Sequence, residues 1–257
     1  MHFLKKFPVP SFLLPKENAN TYTSHLEDLH IEGCPALTCL QATDQISITL
    51  TRLEICNDFA SFPKGGFPNS NFTLVIERCE KLEALPSEIH TLSSLEINDC
   101  PNMSLSEEGL PTKLSLLAIK SLKQYKALMQ TGFHNFTSLT RLSIFGKPDG
   151  ESLQEEDMTI TLPRSLTMLS IEEFPKLKYL PLKDFEDLPC LDWLRIYDCP
   201  ELTFLPSLPS SLLQLYISRC PLLKEACKRD KGKEWFKIAD IPYVEIDYKF
   251  IYDPEEE

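Results

Sequence analysis

The chain has 257 residues, of which 42% are hydrophobic and 25% are charged, a composition typical of a globular protein with a buried core. Its formal net charge is -12, so nucleic acid and an anionic membrane surface would be repelled overall. No apolar run approaches the roughly 20 residues of a membrane helix, and prolines interrupt the opening segment MHFLKKFPVPSFLLPKE, unlike a signal peptide. We expect a soluble, cytoplasmic protein without nucleic-acid or membrane partners.

One pattern, LxxLxIxxCPxL, recurs along most of the chain. It is clearest in LEDLHIEGCPAL from residue 26, LSSLEINDCPNM from 92, LDWLRIYDCPEL from 191 and LLQLYISRCPLL from 212. The isoleucines of successive copies lie 21 to 27 residues apart, within the period of roughly 20 to 29 residues typical of leucine-rich repeats. These isoleucines are Ile31, Ile55, Ile76, Ile97, Ile119, Ile144, Ile171, Ile196 and Ile217.

The LxI core of each copy predicts a short strand, because a leucine and an isoleucine two residues apart lie on one face. Stacked copies bury these side chains together, at roughly 1.5 to 3 kcal/mol per fully buried side chain before ordering entropy is subtracted. The sequence therefore predicts an α/β protein, a leucine-rich-repeat solenoid shaped like a horseshoe, with a parallel β-sheet on its concave face. We assign residues 1–25 to the remnant of a preceding repeat or an N-terminal extension, 26–228 to about nine repeats, and 229–257 to a capping segment with an acidic tail.

The position three residues after the isoleucine is often cysteine. A compact side chain with weak hydrogen-bonding ability fits the turn where the chain leaves the strand, so we predict reduced, packed cysteines and not disulfides. Prolines after these cysteines and in later Leu-Pro steps remove backbone donors, which favours extended segments or short helical turns on the convex side. The acidic insert at 147–163 is expected to form a projecting loop. The cysteines at this position are Cys34, Cys79, Cys100, Cys199 and Cys220.

The closing segment is more apolar than a free chain end requires. An uncovered parallel edge invites aggregation, so we predict that this segment caps the last repeat. Docking of a partner is the alternative interpretation. The apolar residues are Trp235, Phe236, Ile238, Ile241, Val244 and Ile246.

The last repeat and its continuation, LPSSLLQLYISRCPLLKEACKRDKGKEWFKIADIPYVEID from Leu208 to Asp247, resemble the end of plant intracellular immune receptors of the coiled-coil, nucleotide-binding, leucine-rich-repeat class. The resemblance covers roughly Leu26 to Asp247. It implies a domain that contacts a pathogen effector or a guarded host protein and restrains a nucleotide-binding module, in cis or in trans, without covalent chemistry. The chain has no GxxxxGK phosphate loop, so nucleotide exchange is not implied, and we expect a fragment, a truncated product or a repeat-only relative.

Variable positions around each LxI core predict the binding surface. Early rows are acidic or mixed, whereas late rows carry aromatic and basic side chains, the types enriched at binding hot spots. Since neighbouring strands lie about 4.8 Å apart, the sequence places Trp193 beside Tyr216. The predicted protein-binding residues are Arg141, Phe145, Trp193, Arg195, Tyr197, Tyr216 and Arg219. The alternative is that the aromatics cover neighbouring strands and the arginines are merely solvated.

Other functions have weaker support in the sequence. A substrate receptor of a ubiquitin ligase pairs similar repeats with an F-box, but no F-box-like helical start precedes Leu26. A scaffold formed by a truncated receptor fragment is a further alternative.

The five histidines show no metal-ligand spacing along the chain and are expected on the surface, and no acidic pair has an evident pocket. We therefore expect no enzyme, and no catalytic, cofactor or metal site.

Overall fold

A computed structural model describes the chain at residues 2–5, 27–34, 50–57, 62, 71–86, 89–105, 110–120, 124, 128, 133, 136–146, 160–180 and 182–252. The chain forms two compact units, residues 1–128 and 129–257. Each unit contains its own run of short strands.

The described strands of the first unit form a parallel sheet in which each strand pairs with its neighbour in sequence. Side chains alternate along the strand that begins at Arg52: Leu53 and Ile55 are fully buried, whereas Arg52 and Glu54 point to the outward face. The five predicted isoleucines, from Ile31 to Ile119, stand opposite one another in register. The strands are β1 (His2–Lys5), β2 (Asp28–Glu32), β3 (Arg52–Cys56), β4 (Phe72–Glu77), β5 (Leu92–Asn98) and β6 (Leu116–Lys120).

The second unit repeats this arrangement. Ile144, Ile171, Ile196 and Ile217 form one register row, each 5% exposed or less, and Ile246 adds a further member opposite Ile217. Its main sheet runs in the order β7 (Arg141–Phe145), β9 (Met168–Glu172), β11 (Trp193–Tyr197), β12 (Gln214–Ser218), β13 (Tyr243–Ile246) and β14 (Lys249–Phe250). All pairs are parallel except β13 with β14. The predicted leucine-rich-repeat solenoid with parallel strands is confirmed.

A residue with left-handed backbone follows most of these strands, with φ between 50° and 61°. This geometry aims its N–H group at the next strand: Asn57 N–H donates to the Glu77 carbonyl at 3.1 Å, and Asp198 N–H donates to the Ser218 carbonyl at 3.0 Å. Buried backbone donors at the strand exits are thus satisfied between repeats. The residues with this conformation are Gly33, Asn57, Arg78, Asp99, Glu173, Asp198 and Arg219.

The helical segments with defined bounds in the connections are short, as the prolines predicted. They are a 3-10 turn (Phe185–Asp187), α1 (Pro221–Ala226) and α2 (Trp235–Ile238). Near its end, the acidic insert forms the short strand β8 (Ile160–Thr161). This strand pairs in parallel with β10 (Leu182–Lys183), a pairing that the sequence did not predict. The rest of the predicted loop, 147–159, lies outside the described residues.

The closing segment packs against the last repeat. β13 continues the sheet beyond β12, and Ile238, Val244 and Ile246 are buried, whereas Phe236 is 71% exposed. The buried Glu234 accepts a hydrogen bond from Leu205 N–H at 3.0 Å and pairs with Lys237 Nζ at 2.7 Å. Lys237 Nζ in turn donates to the Leu205 carbonyl at 2.5 Å. One ion pair therefore satisfies both backbone groups of Leu205.

After β12, the strand of the last predicted repeat, a side chain supplies the hydrogen-bond acceptor for the backbone N–H group. Arg219 N–H donates to Asp247 Oδ1 at 3.0 Å, where earlier repeats use a main-chain carbonyl of the following strand. Asp247 Oδ2 also accepts from Lys224 Nζ at 2.8 Å. Both hydrogen bonds lower the pKa of Asp247, and the one from Lys224 has the larger effect.

Candidate functional site

The outward face of the second unit carries a continuous row of aromatic rings. Trp193 on β11 lies 5.4 Å from Tyr216 on β12, and Tyr216 lies 5.5 Å from Tyr243 on β13, measured between ring centroids. Tyr243 lies 5.2 Å from Phe250 on β14, and Phe250 lies 5.2 Å from Tyr252. We name these five residues the aromatic ladder. Their spacing is within the 4.5–7 Å range of favourable aromatic pairs.

Parallel register explains why the rings meet. Trp193 stands opposite Gln214 and Tyr216 stands opposite Arg195, so neighbouring rings contact diagonally across the strands. Their outward direction follows from the alternation with the fully buried Leu194, Leu215 and similar residues. The exposed fraction is 37% for Tyr243 and 40% for Phe250, so the ladder presents apolar area to solvent.

Two arginines lie next to the ladder, and both contact the ring of Tyr197, a tyrosine outside the ladder. The guanidinium carbon of Arg195 lies 5.0 Å from the centre of the Tyr197 ring, and that of Arg219 lies 5.3 Å from it, both within cation–π range. Arg195 Nη1 also lies 3.8 Å from Glu172 Oε1. These contacts hold the guanidinium groups at the surface, where planar donors can bind a carboxylate or a backbone carbonyl.

The hydroxyls of two ladder tyrosines are held in hydrogen bonds along their own strands. Tyr216 donates to Gln214 Oε1 at 2.9 Å, and Tyr243 donates to Glu245 Oε2 at 2.9 Å. The hydrogen bond with Glu245 raises the pKa of Tyr243, so its hydroxyl stays protonated. The rings of Tyr216 and Tyr243 are therefore each held at the hydroxyl end, which limits the rotamer freedom that binding would remove.

Of the seven residues proposed from sequence, five lie together and two lie further along the sheet. Trp193, Arg195 and Tyr197 share β11, and Tyr216 and Arg219 lie on or just after β12. Arg141 and Phe145 lie on β7, and β9 separates that strand from β11. Sequence reasoning missed Tyr243, Phe250 and Tyr252, because their segment does not carry the LxxLxI pattern. The alternation of Val244 and Ile246 was the available signal.

The outward face of the first unit is charged instead. Arg52 Nη1 lies 3.7 Å from Glu96 Oε1, and Arg78 Nη2 lies 2.9 Å from Glu77 Oε1. His30 Nδ1 lies 3.3 Å from Glu54 Oε1, and the His30 side chain is only 12% exposed. The expectation that every histidine lies on the surface is therefore wrong for His30, because the register places it beside a carboxylate of the next repeat.

Four of the five repeat cysteines are packed thiols, as predicted, whereas Cys34 is only partly buried. Cys79, Cys100, Cys199 and Cys220 are at most 1% exposed. Their sulfurs donate to the carbonyl two residues earlier, for example Cys79 Sγ to Glu77 at 3.4 Å and Cys220 Sγ to Ser218 at 3.3 Å. The eight cysteines in the described part of the chain are all free thiols, and among them Cys190 is exposed. The four buried repeat cysteines therefore stabilise the turns at the strand exits.

Parallel strands in one register around rows of buried leucine and isoleucine define the chain as a leucine-rich-repeat protein. Over most of its length it is similar to plant disease resistance proteins of Arabidopsis thaliana. A protein named for disease resistance, At3g14460, is 33% identical over 238 residues, 86% of this chain and 16% of its own length. Disease resistance protein RPS4B is 27% identical over 214 residues, 79% of this chain and 17% of its own length.

A third relative, RF45, also named for disease resistance, is 27% identical over 264 aligned positions, 90% of this chain and 23% of its own length. The resemblance to the leucine-rich-repeat region of plant disease resistance proteins is thus confirmed. The chain spans about one sixth of the length of the first two relatives.

No protein-family model matches the chain. In the described part of the chain, no helix combines the length and the apolar character needed to cross a membrane.

Proposed function

We propose that this chain is the ligand-recognition part of a plant intracellular immune receptor acting in the cytoplasm, and that it binds a pathogen effector or a guarded host protein. The aromatic ladder and its flanking arginines form the proposed binding surface. The observation that carries the proposal is the row of rings from Trp193 to Phe250, partly exposed at Trp193 and Tyr216 and exposed at Tyr243 and Phe250, because tryptophan, tyrosine and arginine dominate binding hot spots. The disease-resistance names of the relatives support the biological setting.

The chemistry of this surface suits protein recognition without a covalent step. The rings bury large area at low entropic cost, since only two side-chain torsions are fixed. Arg195 and Arg219 add donors for carboxylates and carbonyls of the ligand. Because the relatives are several times longer than this chain, we also propose that it restrains a nucleotide-binding module, attached or supplied in trans.

Capture of ligands from infected leaf extract tests the binding surface. Trp193→Ala and Tyr216→Ala should each lose the effector or host protein that the wild-type chain captures, with affinity falling by about 30-fold, or about 2 kcal/mol, for a hot-spot side chain. Phe236→Ala is the matched control, because Phe236 is an exposed ring outside the ladder. Equal capture by the ladder variants and the wild type, with circular dichroism unchanged, would rule out this surface.

The restraining role needs a separate readout. Supplying the chain in trans to a plant nucleotide-binding module that lacks its own repeats should reduce the cell death which that module triggers in leaves. Unchanged cell death at equal expression would contradict the restraint and leave the ligand-binding proposal standing.

A further inference from the structure

The outward face of the first unit brings together four metal-ligating side chains from two neighbouring repeats. In the register of β2 and β3, His30 stands opposite Glu54, and Glu32 stands opposite Cys56. One ligand atom from each of His30, Glu54 and Cys56 lies within 4.8 Å of the other two. His30 and Glu54 are 24 residues apart in the sequence, as are Glu32 and Cys56, so no short metal-binding motif predicts the cluster.

The distances within the cluster are those of a zinc coordination shell. With bond lengths of about 2.0 Å to nitrogen or oxygen and about 2.3 Å to sulfur, tetrahedral angles put nitrogen and oxygen ligands about 3.3 Å apart and sulfur and oxygen ligands about 3.5 Å apart. The measured separations are 3.3 Å from His30 Nδ1 to Glu54 Oε1 and 3.6 Å from Cys56 Sγ to the same oxygen. The ligand nitrogen of His30 and Cys56 Sγ lie within 4.8 Å of each other, compared with about 3.5 Å in such a shell.

We propose that His30, Glu54 and Cys56 form a zinc-binding site that joins the first two described repeats. His30 Nδ1, Glu54 Oε1 and Cys56 Sγ are the three protein ligands, and water takes the fourth position. A mixed set of imidazole, carboxylate and thiolate suits Zn²⁺, whereas Mg²⁺ requires oxygen ligands.

Glu32 supplies the supporting contact of such a site. Its Oε2 lies 3.9 Å from His30 Nε2, so the second ring nitrogen of the imidazole faces a carboxylate. A zinc-bound histidine commonly donates its other N–H group to a carboxylate, which orients the ring. Glu32 Oε1 is itself held by Asn57 Nδ2 at 3.1 Å. Glu32 is thus a positioning residue.

Binding of Zn²⁺ releases one proton, and two anionic side chains neutralise the charge of the ion. The Cys56 Sγ–H bond breaks, the proton passes to solvent, and the thiolate bonds to the cation. Burial, followed by the charges of Glu54 and Glu77, raises the pKa of Cys56 to about 12 in the metal-free chain. A dication between these groups reverses that effect, and its two charges are neutralised by the thiolate and the Glu54 carboxylate.

Titration of the reduced full chain with Zn²⁺ tests the site. We expect one equivalent to bind by calorimetry and Mg²⁺ not to compete. Co²⁺ in its place should give a thiolate-to-cobalt absorption band. His30→Gln and Cys56→Ser should abolish both signals, and Glu32→Gln should weaken affinity by about 10- to 100-fold. Exposed residues provide matched controls, His90→Gln and Cys190→Ser, which should bind like the wild type.

A second measurement covers variants that fold poorly. Glu54→Gln keeps the size of the side chain, and Zn²⁺ should raise the thermal midpoint of the wild type and of the controls but not of this variant. If Zn²⁺ does not bind the wild type at one equivalent, or if Cys56→Ser and Glu54→Gln bind it unchanged, the cluster is only a hydrogen-bonded ion pair and the proposal is wrong.

Discussion

On the outward face of the first unit, β3 carries Arg52 and Glu54, whereas the corresponding positions of β11 in the second unit carry Trp193 and Arg195. The buried positions of the two strands are the same, leucine followed by isoleucine, and all four side chains are fully buried. The repeat therefore fixes the backbone through its inward residues and leaves the outward residues to differ. One outward face is charged, and the other is aromatic.

The largest expected effect concerns the closing segment, which belongs to the second unit. Deleting residues 230–257 removes β13 and exposes the edge of β12, so we expect insoluble protein, because an unpaired parallel edge templates aggregation. Solubility and size-exclusion chromatography measure the outcome. Deleting only 253–257 is the control and should leave the protein soluble. A soluble, monomeric 1–229 chain would show that the segment does not cap.

Equivalent inward substitutions test whether the two units are built alike. Ile55→Ala and Ile196→Ala should each lower the free energy of unfolding by about 2–5 kcal/mol, because each leaves a cavity in a fully buried row. Chemical denaturation measures the loss. The matched variants Ile55→Val and Ile196→Val should lose only about 0.5–1.5 kcal/mol. A large loss in one unit with almost none in the other would break the equivalence.

The ion pair that fixes the closing segment should have a smaller effect. Glu234→Ala leaves Lys237 without its carboxylate and Leu205 N–H without its acceptor, so we expect a loss of about 3 kcal/mol in unfolding free energy. Glu225→Ala is the control, because its pair with Lys228 at 2.6 Å is exposed and should contribute less than about 1 kcal/mol. Equal losses for both variants would contradict a structural role for Glu234.

The smallest expected effect is pH-dependent and arises at Asp247. Its pKa in the folded chain is below the ordinary value of about 3.9, so its contribution is fully present above that value and is lost as pH falls through the folded pKa. Asp247→Asn should destabilise the chain by less than about 1 kcal/mol near neutral pH, because the pair with Lys224 is exposed. Thermal unfolding should show this difference shrinking below about pH 4. A constant difference down to pH 2 would contradict the assignment.

The sequence predicted the parts that depend on the repeat phase. Ile55 and Ile196 were assigned to buried strands, and Trp193 was placed beside Tyr216, since a parallel register converts the repeat period directly into neighbours. The burial of Cys79 and Cys220 followed from the same phase.

Contacts that depend on particular side chains could not be predicted in this way. Glu234 meets Leu205 across 29 residues, through a closing segment that has no repeat period. The meeting of His30 with Glu54 was missed because metal sites were sought as spacings along the chain, and the register brings together residues of different repeats. Tyr243 was assigned to a cap and not to the sheet, so its ring was left out of the predicted surface.

Asp247 marks the end of the repeat array. Its carboxylate replaces a main-chain carbonyl as the acceptor for Arg219 N–H, directly after β12. Since it supplies the acceptor that another repeat would otherwise provide, the array can end there without an unsatisfied donor. The series of hydrogen bonds that links each strand exit to the following strand therefore ends at this carboxylate and needs no main-chain carbonyl at that point.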